Sequence, residues 1–458
     1  MKLLSLTGII LALVTADARG SKPSAPLDST RSAIEDRDAP GIAQSADEDS
    51  RVEGSRFYRE RVRRGREITP VPLDLVGRTP EEVAKIYYGS YLVNAAGDCT
   101  GCHTSPAGFL AGGIQFDIGP DNYVFTRNLT PDPKSGLHLT EEEFVESLRT
   151  GKDFDYQEDA SLIVMPWPYF RWMTRGDLSA IHAYLSVIPP VSNKVDADVK
   201  PLIPPAPFPN VYDEGDVVRP LPQDTDRARP NIERGLAIQP LVQPELEHDH
   251  GVRASFGRGS YLVNAISACS GCHTNPERDQ VTLRINTAEY LSGGGLFLPP
   301  PPVQVQLHEA RAASANLTGT TLGFFHEQGS TFERFEATIR KGVHMDEKVP
   351  RPLAWPMPWE VFRNMLDEDL FAIYTYASRV PPRTGQADKE IPNYARWCAD
   401  DTDCRAGEAC YTNPATGDIN ECVGGECITD NDCDVCQTCT NGTCVAPDAT
   451  STCLTDGL

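Results

Sequence analysis

The 458-residue chain is short of positive charge and of long apolar segments. It has 42 lysine and arginine residues against 65 aspartate and glutamate residues, which gives a formal net charge of −23. Nucleic acids and anionic membrane surfaces are bound by basic patches, so this charge argues against both as partners. The longest apolar run, residues 3–14, is too short to span a bilayer comfortably, and we expect no transmembrane anchor in the mature chain.

Cysteine is absent from residues 1–98, 103–268 and 273–397. Four of the fourteen cysteines lie in two short motifs, and the other ten lie between Cys398 and Cys453. No cysteine follows the N-terminal apolar run, so a lipid anchor has no attachment residue there. Ten cysteines in a short acidic segment are typical of proteins from an oxidising compartment.

The N-terminal segment has the pattern of an export signal. Lys2 precedes the apolar run, and Ala16-Asp-Ala18 supplies small residues at a cleavage site. We therefore predict a signal peptide over residues 1–18 and an exported protein, periplasmic or at the cell surface. Residues 19–68 are polar and lack apolar periodicity, which predicts a disordered arm.

One stretch of fifteen residues occurs twice: residues 89–103 read GSYLVNAAGDCTGCH, and residues 259–273 read GSYLVNAISACSGCH. Each copy ends in Cys-x-x-Cys-His, the pattern of a c-type haem attachment site. The alternative is a redox-active or zinc-binding Cys-x-x-Cys followed by a chance histidine, and the repeated flanks favour haem. We predict two covalently bound haem c groups. The attachment cysteines would be Cys99, Cys102, Cys269 and Cys272, and the iron-ligating histidines His103 and His273.

A haem c iron needs a sixth ligand unless it is catalytic, and a methionine thioether favours the ferrous state. Met-Pro-Trp occurs at Met165 and again at Met357, each time between predicted helices, so these two methionines are the predicted ligands. Met173 and Met365 also correspond to each other, but they fit core packing better. Histidines that have no histidine counterpart in the other copy are the rival ligands: His138, His182 and His344.

Six further residues are haem-pocket candidates because they recur at matching places: Tyr91, Asn128, Trp167, Tyr261, Asn316 and Trp359. The asparagines would cap a turn or bond a haem propionate, and the residues alone leave both roles open. The tryptophans would cover the haem edge or pack in the core. The tyrosines also belong to helices that we expect to cross closely, with Gly89 and Gly259 at the crossings.

Helix signals appear in the same order in both copies. In the first copy, Thr79 opens a helix, Thr140 and Glu143 form a capping box for a second helix that stops at Gly151, and Asp177 caps a third. The second copy repeats this order, together with Leu-x-Gly-Gly, Asn-Leu-Thr and Met-Pro-Trp. An internal duplication is the simplest explanation.

These patterns predict a mainly α protein with two tandem domains, residues 69–192 and 251–385. A proline-rich acidic linker, residues 193–250, would join them. A short linker, residues 386–397, would lead to a small C-terminal module.

The predicted C-terminal module, residues 398–458, is loop-dominated and has too few apolar residues for a core. We expect its ten cysteines to form disulfides: Cys398, Cys404, Cys410, Cys422, Cys427, Cys433, Cys436, Cys439, Cys444 and Cys453. No histidine follows either Cys-x-x-Cys pair in this segment, which excludes a third haem site of the same kind.

Residues 83–190 and 251–385 resemble class I cytochrome c domains. They are most similar to the multihaem cytochrome subunits that accept electrons from periplasmic alcohol and sugar dehydrogenases. The matching motifs are Gly-Ser-Tyr-Leu-Val, Cys-x-x-Cys-His-Thr, Leu-x-Gly-Gly, Asn-Leu-Thr and Met-Pro-Trp. The resemblance implies that His103 and His273 are proximal ligands and that Met165 and Met357 are distal ligands.

The function expected from these features is electron transfer by an exported dihaem c-type cytochrome, with no catalytic residues of its own. The acidic surface favours a positively charged redox partner, and a periplasmic dehydrogenase or a terminal oxidase is the expected class. Two alternatives remain: a dihaem peroxidase or sulfur-compound oxidoreductase, which would need an open iron site, and a surface binding module that carries cytochrome domains.

Overall fold

A computed structural model describes most of the chain between residues 56 and 383, and four strands beyond it. The described ranges are 56–119, 121–156, 160–200, 221–222, 230–241, 250–277, 285–297, 312–318, 324, 331–343, 353, 356–383, 408–412, 420–424, 438–440 and 443–445. The predicted signal peptide and the predicted linker at residues 386–397 lie outside them. All the described residues belong to one compact unit, residues 50–458.

The described part is mainly helical with few strands, which confirms the predicted mainly α class. No helix within these ranges has both the length and the apolar character needed to span a bilayer. In residues 56–200, here called the first half, the elements are α1 (56–68), α2 (Pro80–Tyr91), α3 (Cys99–His103), β1 (Gln115–Gly119), β2 (Asn122–Phe125), α4 (Glu141–Thr150), α5 (Trp167–Phe170) and α6 (Arg175–Leu185).

Residues 230–383, here called the second half, follow the same order. The elements are α7 (Pro230–Ile238), α8 (His250–Tyr261), α9 (Cys269–His273), β3 (Leu296–Phe297), β4 (Ala312–Ala313), α10 (Phe332–Lys341), α11 (Trp359–Phe362) and α12 (Asp367–Ala377). In each half the two strands pair antiparallel. The strands β1 and β2 are not among the elements predicted from the sequence.

The predicted starts of α2 and α4 are confirmed. Thr79 and Thr140 cap these helices, and each forms a capping box with the glutamate three residues later, Glu82 or Glu143. Helix α4 ends at Gly151, as predicted. The φ angle of this glycine is 76°, a left-handed conformation that glycine adopts without steric cost.

The predicted arm and linker are too long, because each contains a helix. Residues 56–68 form α1 and residues 230–238 form α7, and these helices pack against α2 and α8. The Ser90 hydroxyl donates to the Gly65 carbonyl oxygen at 2.9 Å, and the Ser260 hydroxyl donates to the Gly235 carbonyl oxygen at 2.7 Å. The signal was present in the sequence: Arg-Gly-x-x-Ile-x-Pro occurs at residues 64–70 and again at 234–240.

In each half, the helix that leads into the Cys-x-x-Cys-His motif crosses the last helix closely, α2 with α6 and α8 with α12, as expected from Gly89 and Gly259. A Cβ atom on Gly89 would lie 1.9 Å from the Ala180 carbonyl oxygen, and one on Gly259 would lie 1.9 Å from the Ala372 carbonyl oxygen. These distances exclude any larger residue at the crossings without movement of the helices. The glycines therefore set how closely each helix pair packs.

Asp177 is not the cap of α6, contrary to the sequence expectation. Thr174 caps this helix by accepting a hydrogen bond from the Asp177 backbone N–H. The Asp177 side chain is buried and accepts hydrogen bonds from the hydroxyls of Tyr88, at 2.8 Å, and Tyr261. A buried tertiary role has replaced the local capping role that the sequence pattern suggested.

A buried ion cluster centred on Asp369 joins the two halves. The Arg61 guanidinium donates to this carboxylate through Nε at 2.9 Å, the Arg258 guanidinium donates through Nε at 3.0 Å, and the Tyr91 hydroxyl donates at 2.6 Å. Burial alone would raise the pKa of Asp369, but the charges of Arg258 and Arg61 hold it well below its usual range. The carboxylate therefore stays ionised between helices α1, α2, α8 and α12.

In the C-terminal segment, β5 (Glu408–Thr412) pairs with β6 (Asn420–Gly424), and β7 (Thr438–Thr440) pairs with β8 (Thr443–Val445). The register places Cys410 opposite Cys422 and Cys439 opposite Cys444. These strand pairs add short hairpins to a segment that we expected to be dominated by loops.

We expect Asp369→Asn to lower the free energy of unfolding by about 3–5 kcal/mol, because it leaves two buried guanidinium groups without a counter-charge. Denaturant unfolding measures the loss. Asp367→Asn on the same helix is the control: its side chain is 74% exposed and pairs with Arg340, so its loss should be about 0–1 kcal/mol. Equal losses for the two variants would contradict a stabilising role for the cluster.

The sign of the pH dependence follows from the lowered pKa. A carboxyl group whose pKa is lower in the folded state stabilises the fold above its unfolded pKa, about 4, and this contribution is lost as the pH falls. The difference in stability between the natural chain and Asp369→Asn should therefore be largest near pH 7 and shrink below about pH 4.

Candidate functional site

A π-helical turn leads into each Cys-x-x-Cys-His motif. Residues Leu92–Ala96 and Leu262–Ile266 continue α2 and α8 with π-helical hydrogen bonds. The turns close at Gly97 N–H to the Leu92 carbonyl oxygen, 2.7 Å, and at Ser267 N–H to the Leu262 carbonyl oxygen, 2.8 Å. Such turns are frequent at functional sites, because they redirect the chain without breaking the helix. Sequence patterns gave no signal for them.

The four motif cysteines carry free thiols rather than disulfides. Burial, with the nearby Asp98 carboxylate, raises the pKa of Cys99 to about 12, and burial raises that of Cys269 to about 12. The pKa of Cys102 and that of Cys272 are each raised to about 11, again chiefly by burial. Redox-active and zinc-binding cysteines need a lowered pKa. The raised pKa values are therefore not those of reactive, thiolate-forming redox cysteines.

Each motif histidine is held by a backbone carbonyl group. His103 Nδ1 lies 2.8 Å from the Arg127 carbonyl oxygen, and His273 Nδ1 lies 2.7 Å from the Ala315 carbonyl oxygen. A carbonyl oxygen only accepts, so Nδ1 carries the proton and Nε2 keeps its lone pair. Burial lowers the pKa of both histidines, which keeps the rings neutral. Each ring thus presents an unprotonated nitrogen of the kind that ligates iron.

The asparagines Asn128 and Asn316 directly follow these two carbonyl groups. Asn128 Oδ1 accepts from the Thr130 backbone N–H at 3.0 Å, and its Nδ2 donates to the Val191 carbonyl oxygen at 2.8 Å. Asn316 Oδ1 accepts from the Thr318 N–H at 2.8 Å, and its Nδ2 donates to a second loop. Both side chains are buried. Of the two roles left open by the sequence, this geometry supports turn capping.

The Met-Pro-Trp segments have the same local structure in both halves. The backbone N–H of Trp167 donates to the Met165 carbonyl oxygen at 2.8 Å, and that of Trp359 donates to the Met357 carbonyl oxygen at 2.9 Å. A Cβ atom on Gly151 would come within 2.3 Å of the Trp167 ring, and the same holds for Gly342 and Trp359. Each indole therefore packs on the glycine that ends α4 or α10.

The methionines divide as expected from the sequence. Met173 and Met365 are 2% and 1% exposed and lie in the hydrophobic core, which confirms their packing role. Met165 and Met357 are only partly buried and lie at the entrance to α5 and α11. Iron ligation by these two methionines stays a prediction.

The rival histidines are placed as follows. His182 lies on α6, and its Nε2 lies 3.0 Å from the Leu139 carbonyl oxygen, so this nitrogen is engaged by the backbone. His138 lies beside it at the edge of a small cavity. His344 lies outside the described residues.

The tyrosines Tyr91 and Tyr261 reach across to the opposite half. The Tyr91 hydroxyl donates to Asp369, and the Tyr261 hydroxyl donates to Asp177. Each hydroxyl oxygen also accepts a backbone N–H: from Leu366 at 3.1 Å and from Thr174 at 2.8 Å. The hydroxyls therefore connect the halves, and a role for the rings in the haem pocket stays a prediction.

These donor sets fit haem c. Each half brings together two unpaired thiols spaced for two thioether bonds and a neutral histidine with a free Nε2. Among the described residues, no group of three or more histidine, cysteine, aspartate or glutamate side chains could hold a bare metal ion. A bound haem would supply one-electron redox chemistry, while this chain supplies attachment and orientation.

No protein-family model matches this chain. The fructose dehydrogenase cytochrome subunit of Gluconobacter japonicus is 30% identical over 311 residues, which are 67% of this chain and 54% of that protein. The cytochrome c subunit of the quinone alcohol dehydrogenase of Komagataeibacter europaeus is 29% identical over 227 residues, 48% of this chain and 43% of that protein. A nicotinate dehydrogenase subunit of Pseudomonas putida is 29% identical over 206 residues, 44% of this chain and 15% of that protein.

The chain thus spans about half or less of the length of these relatives. The relatives are cytochrome c subunits and dehydrogenase subunits, so the similarity supports membership in a cytochrome c family. It equally supports covalently bound haem c as the cofactor.

Proposed function

We propose that this chain is an exported dihaem c-type cytochrome that transfers electrons between a donor and an acceptor outside the cytoplasm. The observation that carries the proposal is the paired site: two Cys-x-x-Cys-His motifs, each with a histidine whose Nδ1 bonds a backbone carbonyl group. The halves 56–200 and 230–383 are then two class I cytochrome c domains that arose by duplication.

Met165 and Met357 complete the iron coordination in this proposal. The two Met-Pro-Trp segments have matching hydrogen bonds and matching contacts with a helix-ending glycine. Two equivalent methionine loops favour two closed, six-coordinate sites over one open site. A peroxidase or a sulfur-compound oxidoreductase would need an exchangeable position at one iron, so electron carriage is the better supported function.

The proposed electron donor is a dehydrogenase. Relatives of this chain are named as cytochrome subunits of alcohol, fructose and gluconate dehydrogenases. With a net charge of −23, the chain would favour a partner with a positively charged docking surface. A terminal oxidase is the corresponding class of acceptor. The second alternative is a binding protein: the Cys-rich segment would perform the main function, and the haem domains would be carried with it.

Protein matured in a host that attaches haem c should carry two haems per chain. We expect an intact mass larger than that of the polypeptide by two haem groups, and haem staining that survives denaturing electrophoresis. The absorption spectrum should be that of six-coordinate haem iron, and it should not change when hydrogen peroxide is added. A mass with fewer than two haems would refute the dihaem proposal, and a spectrum that responds to peroxide would favour the peroxidase alternative.

Met165→His and Met357→His should each lower the midpoint potential of one haem more than that of the other. The reason is the loss of a thioether ligand, which prefers ferrous iron. Redox titration followed by absorption measures both midpoints. Met173→Leu is the matched control, because Met173 is a buried core residue of similar volume, and both midpoints should stay in place. If either histidine variant leaves both midpoints unchanged, that methionine is not a ligand.

The ten cysteines of residues 398–458 should form five disulfides in the exported protein. The strand register, with Cys410 opposite Cys422 and Cys439 opposite Cys444, supports two such pairs. Each bond should contribute about 2–4 kcal/mol to a segment with little core. Thiol counting on unfolded, unreduced protein should find no free thiols in this segment. Several free thiols would contradict a disulfide-stabilised module.

A further inference from the structure

The two attachment turns have matching sequences but are supported differently. In the first turn, Asp98 Oδ1 accepts a hydrogen bond from the Gly101 backbone N–H at 3.0 Å. The atoms nearest to a Cβ built on Gly101 all belong to the Asp98 carboxylate. The first turn is therefore capped by its own side chain.

The second turn has no such cap. Ala268 stands at the position of Asp98, in a left-handed conformation with φ 49°, and it offers no side-chain acceptor. The Gly271 N–H bonds the Ala268 carbonyl oxygen at 2.9 Å instead. The side of the turn that Asp98 covers in the first half is open to a neighbour in the second half.

Tyr169 is that neighbour, and it comes from the first half. A Cβ atom on Gly271 would lie 3.0 Å from Cε2 of the Tyr169 ring and 3.2 Å from Cζ. The tyrosine is 5% exposed and lies on α5, four residues after Met165. Its counterpart on α11 of the second half is Val361, which has no ring to offer.

Other contacts hold the two turns side by side. The Ser267 hydroxyl donates to the Ala96 carbonyl oxygen at 2.7 Å, which joins the residues just before the two motifs. Asn364 Nδ2 donates to the Asn94 carbonyl oxygen at 3.1 Å, which ties the end of the second methionine loop to the first π-helical turn. The segments that lead into the two attachment turns are therefore held against the opposite half at more than one point.

We propose that Tyr169 is a positioning residue for the second attachment turn, supplied by the first half in place of the missing carboxylate cap. This inference rests on the proposed dihaem function. The inference makes the two motifs unequal. The redox potential at the second motif depends on a ring of the first half, whereas the first motif is supported by its own Asp98.

Losing the ring would uncover Gly271 and let more water reach the second attachment turn, in which Cys272 is already exposed. Solvent exposure and support around the ligands are among the factors that set the potential of a protein-bound haem. Added water stabilises the more highly charged ferric form, so the potential should fall. Because Tyr169 lies close in sequence to Met165, a purely local role would instead shift the potential at the first motif.

The test is redox titration of the full-length holoprotein carrying Tyr169→Leu. The two midpoints are assigned with a chain that carries Cys269→Ala and Cys272→Ala. We expect the midpoint of the second motif to shift to lower potential and that of the first motif to stay in place. Tyr169→Phe keeps the ring, so the midpoint of its second motif should equal that of the natural chain.

An unchanged second midpoint, equal shifts of both midpoints, or a shift of the first midpoint alone would overturn the inference. If Tyr169→Leu does not fold, Gly271→Ala provides the test: its Cβ atom would lie 3.0 Å from the ring, so the ring must move by a few tenths of an ångström and the second midpoint should shift selectively. The proposed function can fail separately, and intact mass detects this: an unsubstituted holoprotein that lacks the second haem would refute the dihaem function. With both haems present, the midpoints test the Tyr169 inference alone.

Discussion

The arrangement of this protein depends on two reciprocal hydrogen bonds between buried tyrosines and buried aspartates. Tyr91 of the first half donates to Asp369 of the second, and Tyr261 of the second half donates to Asp177 of the first. Burial, together with the adjacent carboxylate, raises the pKa of each tyrosine well above its usual value, so both remain protonated donors. Hydrogen bonds to charged groups contribute about 1.5–3 kcal/mol each and cannot be replaced by water in a closed interior.

The two aspartates are balanced in different ways. Asp369 faces two guanidinium groups, from Arg61 and Arg258, whereas Asp177 is held by the neutral hydroxyls of Tyr88 and Tyr261. The two halves thus have the same order of helices and strands but differ in the charge of the groups that contact the buried aspartate. The same kind of difference occurs at the attachment turns, where one half has its own carboxylate cap and the other borrows a ring.

Function is organised around backbone groups as much as around side chains. The carbonyl group that fixes each motif histidine belongs to the residue before an Asn-Leu-Thr turn, and the asparagine holds that turn in place. A side chain that does not touch the imidazole thus helps to decide which of its nitrogens carries the proton. This gives a physical reason for the recurrence of Asn128 and Asn316, for which the sequence left two roles open.

The sequence by itself determined the attachment motifs, the helix starts at Thr79 and Thr140, the stop at Gly151 and the close crossing at Gly89. Each of these depends on neighbouring residues or on one dominant property, such as a capping hydroxyl or an absent Cβ atom. The tertiary structure alone decided that Asp177 is buried instead of capping, that Asp369 pairs with Arg61, and that Tyr169 lies on Gly271. These features arise from contacts between residues up to about 300 positions apart, such as Arg61 with Asp369, and the free energy of burying such pairs outweighs local preference.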